Sequence, residues 1–437
     1  MTTIFSPLTI KGNCSVFIVR ISGDKVIECL KKLGVKEKLK PRQATLCKLK
    51  YKNKLLDEAL VIYFQSPNSF TGEDVCELNL HCSNYIIKRV FEILSNVEGT
   101  RYAERGEFSK RAFLNGKIDL MQAESIADLV NSETELQHAQ AIKQLRGQNS
   151  DFYNNLREEI VKIMSLAEAY IDFPDENLPE ENIKNKISEI INTIKKNLND
   201  EKVGERIRNG FHIAIIGEPN VGKSTLLNSF AKREVAITSD IAGTTRDILE
   251  IYLDINNIPI ILYDTAGIRD TKNKIETEGV KRAIDKAKEA DLKILMLTSE
   301  NVILNDEIIK LIDEKTIVVL NKYKKEDEIK NKKLKIDVFI PFSKKRNIET
   351  ETLSIEIQKR LENIISPNIN TTITNERYRN ELKLALSYLE LIDFNNFPLE
   401  ICAENIRIAS SHIGKITGKV SIDEILDNIF SKFCIGK

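Results

Sequence analysis

The sequence predicts a multidomain protein of α/β and α parts: an N-terminal α+β domain, a discontinuous helical domain, and a doubly wound α/β domain inserted into it. Three observations predict this. The 437 residues leave room for roughly three domains at about 150 each. Short β-rich runs fill the first stretch of about 115 residues. Helical periodicity then appears on both sides of a segment that alternates apolar strands with amphipathic stretches.

The N-terminal runs Ser15–Ser22 and Ala59–Phe64 carry the branched, alternating residues of strands. Ser66-Pro67-Asn68-Ser69 and Thr71-Gly72 between them have turn chemistry. From Ile118 onward Leu120, Ala123, Ala127 and Val130 lie at helical spacing, as do Ile183, Ile187, Ile190, Ile194 and Leu198. Asp172-Phe173-Pro174-Asp175-Glu176 interrupts the helices, because proline cannot continue one. Strands are expected at Phe211–Ile216, Pro259–Tyr263, Leu292–Leu297 and Thr316–Leu320. After Pro367 the helical pattern returns with Tyr378, Leu382, Leu386 and Leu389. The expected boundaries are 1–117, 118–205, 206–368 and 369–437, the second and fourth being halves of one helical domain.

Composition excludes several function classes. Lys+Arg (65) equals Asp+Glu (65), so no global cationic field marks a non-specific nucleic-acid binder. The run Lys322–Lys335 reads as a solvated surface. Seven cysteines without a CxxC pair speak against a disulfide framework or zinc ribbon and suit a reducing cytosol. No apolar run reaches the ~18 residues needed to cross a bilayer, and Met1–Ile10 lacks a signal-like basic flank. A cytoplasmic protein without membrane contact is expected.

The strongest chemical signal is Gly217-Glu218-Pro219-Asn220-Val221-Gly222-Lys223-Ser224, a complete GxxxxGK[ST] sequence between a strand and a helix. Its glycines let backbone N–H groups wrap phosphates, Lys223 neutralises their outer oxygens, and Ser224 offers a hydroxyl to Mg²⁺. Three elements follow in the order of a GTPase: the loop Asp240–Asp247 with Thr244 and Thr245, then Asp264-Thr265-Ala266-Gly267, then Asn321-Lys322. Ile268 follows Gly267 where Ras-like enzymes hold a water-orienting glutamine. Water must therefore be positioned from elsewhere, with Arg269 and Glu276 as nearby candidates.

At this point the chain resembles the MnmE (TrmE) family of tRNA-modification GTPases along essentially its whole length. The resemblance is carried by Asn68–Val75, Gly106–Leu120, Ala123–Leu129, Ile171–Glu176, Asp240–Asp247 and the terminal Phe433-Cys434-Ile435-Gly436-Lys437. It implies an N-terminal folate-binding-like dimerisation domain and an inserted Ras-like G domain. It further implies a GTP site of Asn220, Val221, Gly222, Lys223, Ser224 and Thr225, the loop Ser239, Asp240, Ile241, Ala242, Gly243, Thr244 and Thr245, then Asp264, Thr265, Ala266 and Gly267, and finally Asn321 and Lys322. Mg²⁺ falls to Ser224 and Thr245, K⁺ to Asn220, Ser239, Ile241 and Thr244, and the water-orienting catalytic role to Glu276.

The resemblance also implies binding of a formyl- or methylene-tetrahydrofolate by Arg20, Glu77, Lys117 and Lys437. Taken without the family, each of these is one charge among many and reads as a surface ion pair. A homodimer is implied, working with an FAD-containing MnmG partner in a heterotetramer, with FAD entering only through that partner. The product the resemblance implies is a wobble uridine of certain tRNAs carrying an aminomethyl-type group at carbon five. A ribosome-assembly or RNA-binding GTPase of Era or Der type is the alternative from another class, and a degenerate scaffold with weak turnover is a third. Cys434 has either a functional role or that of a plain buried or exposed thiol.

Three departures from the family pattern stand out. Ile10–Ser15 replaces a glycine-rich segment, and His81-Cys82-Ser83 replaces His-Gly-Gly, both adding side chains where backbone would approach a ligand. Lys324 ends the base-recognition motif where an aspartate is usual, and a lysine has only donors. Asp327 is the expected substitute acceptor, with Glu326 beside it.

Overall fold

The computed structural model describes residues 2–9, 14–172, 180–200, 202–232, 236–237, 250–264, 284–298, 305–322, 340–342, 350–368, 370–420, 426, 429–431, 433 and 436. The chain divides into two compact units, one of residues 1–130, 143–164 and 407–437, the other of residues 131–142 and 165–406.

In the first unit, β1 (Thr3–Pro7), β2 (Val16–Ser22), β3 (Ala44–Tyr51), β4 (Lys54–Phe64), β5 (Val75–His81) and β6 (Thr100–Tyr102) form one sheet. Its order is β3-β4-β5-β2-β1-β6, and only the β1–β6 pair is parallel. Period-two alternation decides what each face does. Phe17, Val19 and Ile21 of β2 join Cys76, Leu78 and Leu80 of β5 in a core covered by α1 (Val26–Lys32) and α2 (Asn84–Ser95). The intervening Arg20 and Glu77 lie on the other face, directly opposite one another in the β2–β5 register. That face also exposes Leu46, Leu60 and Val16, an apolar patch on a sheet.

Helices α3 (Glu107–Leu114) and α4 (Leu120–Val130) complete this unit with parts of longer helices. Leu120 and Ala123 of α4 pack with Leu426, Phe430 and Phe433 near the C-terminus. Gly436 is buried against the N-terminal sheet: a Cβ there would lie 2.2 Å from the carbonyl oxygen of Pro7 in β1, and its φ of +98° is a conformation that favours glycine. Arg111 is buried and pinned by Glu73 (3.0 Å), Glu107 (3.0 Å) and the Thr2 carbonyl (2.8 Å).

Between α4 and the second sheet run α5 (Glu135–Leu145), α6 (Gln148–Asp172), α7 (Glu180–Leu198) and α8 (Val203–Asn209). The apolar stripe expected on α7 is buried at Ile183, Ile187, Ile190 and Ile194, whereas Leu198 is only half-buried in the last turn. The second sheet comprises β7 (Phe211–Ile216), β8 (Ala236–Ile237), β9 (Glu250–Ile255), β10 (Ile258–Asp264), β11 (Leu292–Thr298), β12 (Thr316–Asn321) and β13 (Ile340–Phe342). Its order is β13-β12-β11-β7-β10-β9-β8, with β13 through β10 parallel and β9 and β8 antiparallel at one edge. Every residue of β10 and β11 is buried, as expected of parallel strands covered on both faces. One core packs under α9 (Lys223–Ala231) and α11 (Glu351–Ile365), and the other includes Ile308 of the short α10 (Asp306–Ile309).

The chain then continues into α12 (Glu376–Glu390) and α13 (Leu399–Thr417). α12 packs on α7, with Tyr378, Leu382, Ala385 and Leu389 buried. The expected Leu386 is half-buried and Ala385 takes the inner position, because the helix–helix contact admits a small side chain there. Arg379 of α12 is 4% exposed and donates to Asp200 at 2.6 Å, Glu205 at 2.5 Å and the Leu198 carbonyl at 3.1 Å. These contacts tie the strandless segment leading into the second sheet to the segment leaving it. Removing one partner of a buried ion pair leaves charges uncompensated at a cost of about 3–5 kcal/mol. Arg379→Ala is therefore expected to lower unfolding stability by about that amount, read from urea denaturation. A loss below about 0.5 kcal/mol would mean that the network holds nothing together.

Candidate active site

The phosphate-loop sequence sits where the second sheet's chemistry has to be. β7 ends at Ile216, flanked in parallel by β10 and β11, so residues 217–222 leave the carboxyl edge of the sheet and enter α9. Gly222 caps α9 in a left-handed conformation (φ +103°), and no side chain caps the helix. The first-turn N–H groups are thus directed at the loop, and the helix dipole favours an anion there. The ammonium of Lys223 donates to the carbonyls of Gly217 (2.8 Å) and Glu218 (3.1 Å) and is almost wholly buried. Asn220 takes a left-handed φ of +64° at the loop's bend.

Two neighbouring strands complete the arrangement. Asp264 ends β10 at the position paired with Ile215 of β7. It is 2% exposed; its Oδ2 accepts from the Ser224 hydroxyl at 2.7 Å, while among the described residues its Oδ1 has no hydrogen-bond partner. An orphaned buried carboxylate oxygen beside a serine hydroxyl is a pair of hard oxygen donors, which suits Mg²⁺. Asn321 ends β12 and joins its loop to the phosphate loop. Its Nδ2 donates to the Val221 carbonyl at 2.7 Å, and its Oδ1 accepts from the Lys322 backbone N–H at 2.8 Å. Lys322 follows at φ +56°. This staple was not legible in the sequence, because nothing in an Asn-Lys pair tells that its amide crosses to residue 221.

Thus Asn220, Val221, Gly222, Lys223, Ser224, Thr225, Asp264, Asn321 and Lys322 are gathered at one edge of the sheet. Ser239, Asp240, Ile241, Ala242, Gly243, Thr244, Thr245, Thr265, Ala266, Gly267 and Glu276 lie outside the described residues, as do Lys324, Glu326 and Asp327.

A second constellation occupies the first unit. Arg20 and Glu77, 57 residues apart, form a charge-assisted pair with Nη2–Oε1 at 2.7 Å and Nε–Oε1 at 3.0 Å. The guanidinium lies over the rings of Phe70 and Phe108 at 5.3 and 5.5 Å. Both rings fall in segments that carry the sequence resemblance, yet no spacing rule links them to Arg20. Lys117 donates to the Pro67 carbonyl at 2.9 Å and lines a cavity of about 430 Å³ with Gly72, Glu73, Asp74 and Asn115. The structure therefore joins Arg20 to Glu77, and Lys117 to the Pro67 turn. Lys437 and Cys434 lie outside the described residues.

Comparison with known proteins covers the segments that carry both constellations. The profile of the family described as "GTP-binding protein TrmE N-terminus" matches residues 3–117, and that of the "MnmE helical domain" matches residues 120–434. A protein of Rickettsia bellii (strain OSU 85-389) named tRNA modification GTPase MnmE is 48% identical over 450 residues, covering all of both chains. The protein of the same name from Rickettsia rickettsii (strain Sheila Smith) is 46% identical, again over the full length of both. That of Wolbachia pipientis subsp. Culex pipiens (strain wPip) is 44% identical and covers 100% of this chain and 99% of its own.

A Cβ on Gly222 would lie 2.1 Å from Nδ2 of Asn321, the atom that staples the two loops. Gly222→Ala is therefore expected to break the Asn321–Val221 contact and abolish nucleoside-triphosphate binding while the α/β domain stays folded. Binding of a fluorescent nucleotide, with circular dichroism as the folding control, reads this. Undiminished binding would show that the staple does not shape the loop.

Proposed function

The chain belongs to the MnmE (TrmE) family, and on that footing we propose that it is a GTPase of tRNA modification, hydrolysing GTP to GDP and phosphate as part of that process. The observation that carries this reading is the Ser224–Asp264 pair beside the Lys223 loop, in a chain that aligns end to end with its curated relatives. The Era- or Der-like alternative loses its basis, since the two matching profiles together run from residue 3 to residue 434.

In this reading the phosphates rest on the N-terminal turn of α9, with Lys223 turning from its loop carbonyls to their outer oxygens. Ser224 and Asp264, with Thr245, would hold Mg²⁺ beside the phosphates. Held there, Mg²⁺ would supply Lewis-acid stabilisation of phosphate negative charge. Asn220, Ser239, Ile241 and Thr244 hold K⁺, in the place an arginine finger takes elsewhere. Glu276 orients the attacking water, since Ile268 cannot. Asn321 and Lys322 help to hold the rest of the nucleotide.

The finer assignments rest on the first unit. The Arg20–Glu77 pair and Lys117 take a formyl- or methylene-tetrahydrofolate, the carboxylate meeting the pterin edge and the cations its acidic tail. Burial of Gly436 against Pro7 supports a role for Lys437, because Pro7 is one residue from Ser6, the register partner of Arg20. The exposed Leu46, Leu60 and Val16 support a homodimer through this sheet. With an FAD-bearing MnmG partner the assembly modifies carbon five of the wobble uridine in the cytoplasm. Among the described residues no helix is long and apolar enough to cross a membrane.

Mass spectrometry of tRNA nucleosides from cells lacking this protein is expected to show wobble uridines without the aminomethyl-type group. Unchanged uridines, in cells where the group is otherwise made, would remove the proposed function. Hydrolysis is expected to run faster in potassium than in sodium, with Asn220→Ala losing this response more than nucleotide affinity. Glu276→Ala is expected to slow hydrolysis by about 10²–10⁴-fold at nearly constant affinity. Equal single-turnover rates in the two salts, or an affinity loss matching the rate loss, would contradict the respective assignments. Deleting residues 434–437 is expected to weaken folate binding in calorimetry, and identical affinities would exclude the tail.

A further inference from the structure

The described cysteines fall into two groups. Cys29, Cys47, Cys76 and Cys402 are buried. Burial pushes the thiols of Cys29 and Cys47 up to about 11 and raises those of Cys76 and Cys402, which keeps all four protonated and unreactive. Cys14 is exposed and Cys82 half-buried, and their sulfurs stand 2.9 Å apart. That is less than 1 Å longer than a covalent S–S bond of about 2.05 Å, so the two sulfurs are already in close contact.

The backbone holds this pair in place. Cys14 precedes β2 and Cys82 follows β5, and the two strands end on the Val16–His81 pairing. The N–H of Cys82 donates to the carbonyl of Ser15 at 3.2 Å, fixing the residue after Cys14. Asp57 of β4 accepts from the backbone N–H of His81 at 3.0 Å and meets its ring Nδ1 at 2.7 Å, fixing the residue before Cys82. The sulfurs have to close by only about 0.9 Å to reach bonding distance. Among the described residues no group of three or more His, Cys, Asp or Glu is arranged to hold a metal ion.

We propose that Cys14 and Cys82 are a thiol-modification site, closing to an intrachain disulfide in response to a small-molecule disulfide. The thiolate of exposed Cys14 attacks one sulfur of the oxidant, whose S–S bond breaks and releases one small thiol. The Cys82 thiolate then attacks Sγ of Cys14, forming the Cys14–Cys82 bond and expelling the second small thiol. Two protein thiols give up two electrons and two protons, and the oxidant is reduced to two thiols. The bond ties together the far ends of the strands that set Arg20 against Glu77.

The test uses the full chain, reduced and then incubated with oxidised glutathione, blocked with N-ethylmaleimide and digested without reductant. Mass spectrometry is expected to find a peptide linking Cys14 to Cys82, which dithiothreitol abolishes and which both Cys14→Ser and Cys82→Ser lack. The wild-type peptide map decides the matter even if a variant fails to fold. A lasting glutathione adduct on Cys14 without the linked peptide would overturn the proposal. So would links joining Cys14 to Cys14 between chains, or protection of both thiols that a chelator removes.

Discussion

The parallel register of β7 between β10 and β11 is the constraint on which the nucleotide site depends. It sets Asp264 opposite Ile215 and carries Leu295 alongside Ile216, so three strands deliver their carboxyl ends to one edge. A one-residue slip would turn Asp264 to the other face of the sheet and separate it from Ser224. Burial makes such a slip costly, because β10 and β11 are buried along their whole length and leave no face to offer water. The Asn321–Val221 hydrogen bond then locks β12 to the loop.

Each unit holds a buried arginine with two carboxylates. Arg111 gathers Glu73 and Glu107 in the first, and Arg379 gathers Asp200 and Glu205 in the second. Such triads are weak contributors to net stability but strong arbiters of geometry, since any misplacement leaves a buried charge unpaired. Arg111 joins the Glu73 loop and α3 to the carbonyl of Thr2, beside the start of β1. Arg379 clamps the chain where it enters and leaves the α/β sheet.

The open face of the first sheet unites features that appear unrelated along the chain. Arg20 and Glu77 lie near its middle, the exposed leucines of β3 and β4 to one side, and the Cys14–Cys82 pair at the end of two of its strands. The residues that replace the family's glycines at 10–15 and 82–83 include both of these cysteines. Added side chains there do more than occupy space: they supply a second chemistry at the margin of the proposed folate site.

Local sequence determined the element types and the phosphate loop. Strand alternation, the α7 stripe and the GxxxxGK[ST] run depend on residues within a few turns of each other, where spacing and conformational preference suffice. The sequence alone also showed that Ile268 cannot orient water and that Lys324 cannot accept from guanine. What only the tertiary structure decided are the meetings of distant residues: Arg20 with Phe70 and Phe108, Asn321 with Val221, Arg379 with Asp200, and Cys14 with Cys82. Nor did local periodicity tell that Ala385 rather than Leu386 is fully buried, since that choice depends on what packs against the helix. Such contacts are chosen by strand order and by packing between elements, and a one-dimensional pattern carries no record of which edge a strand will join.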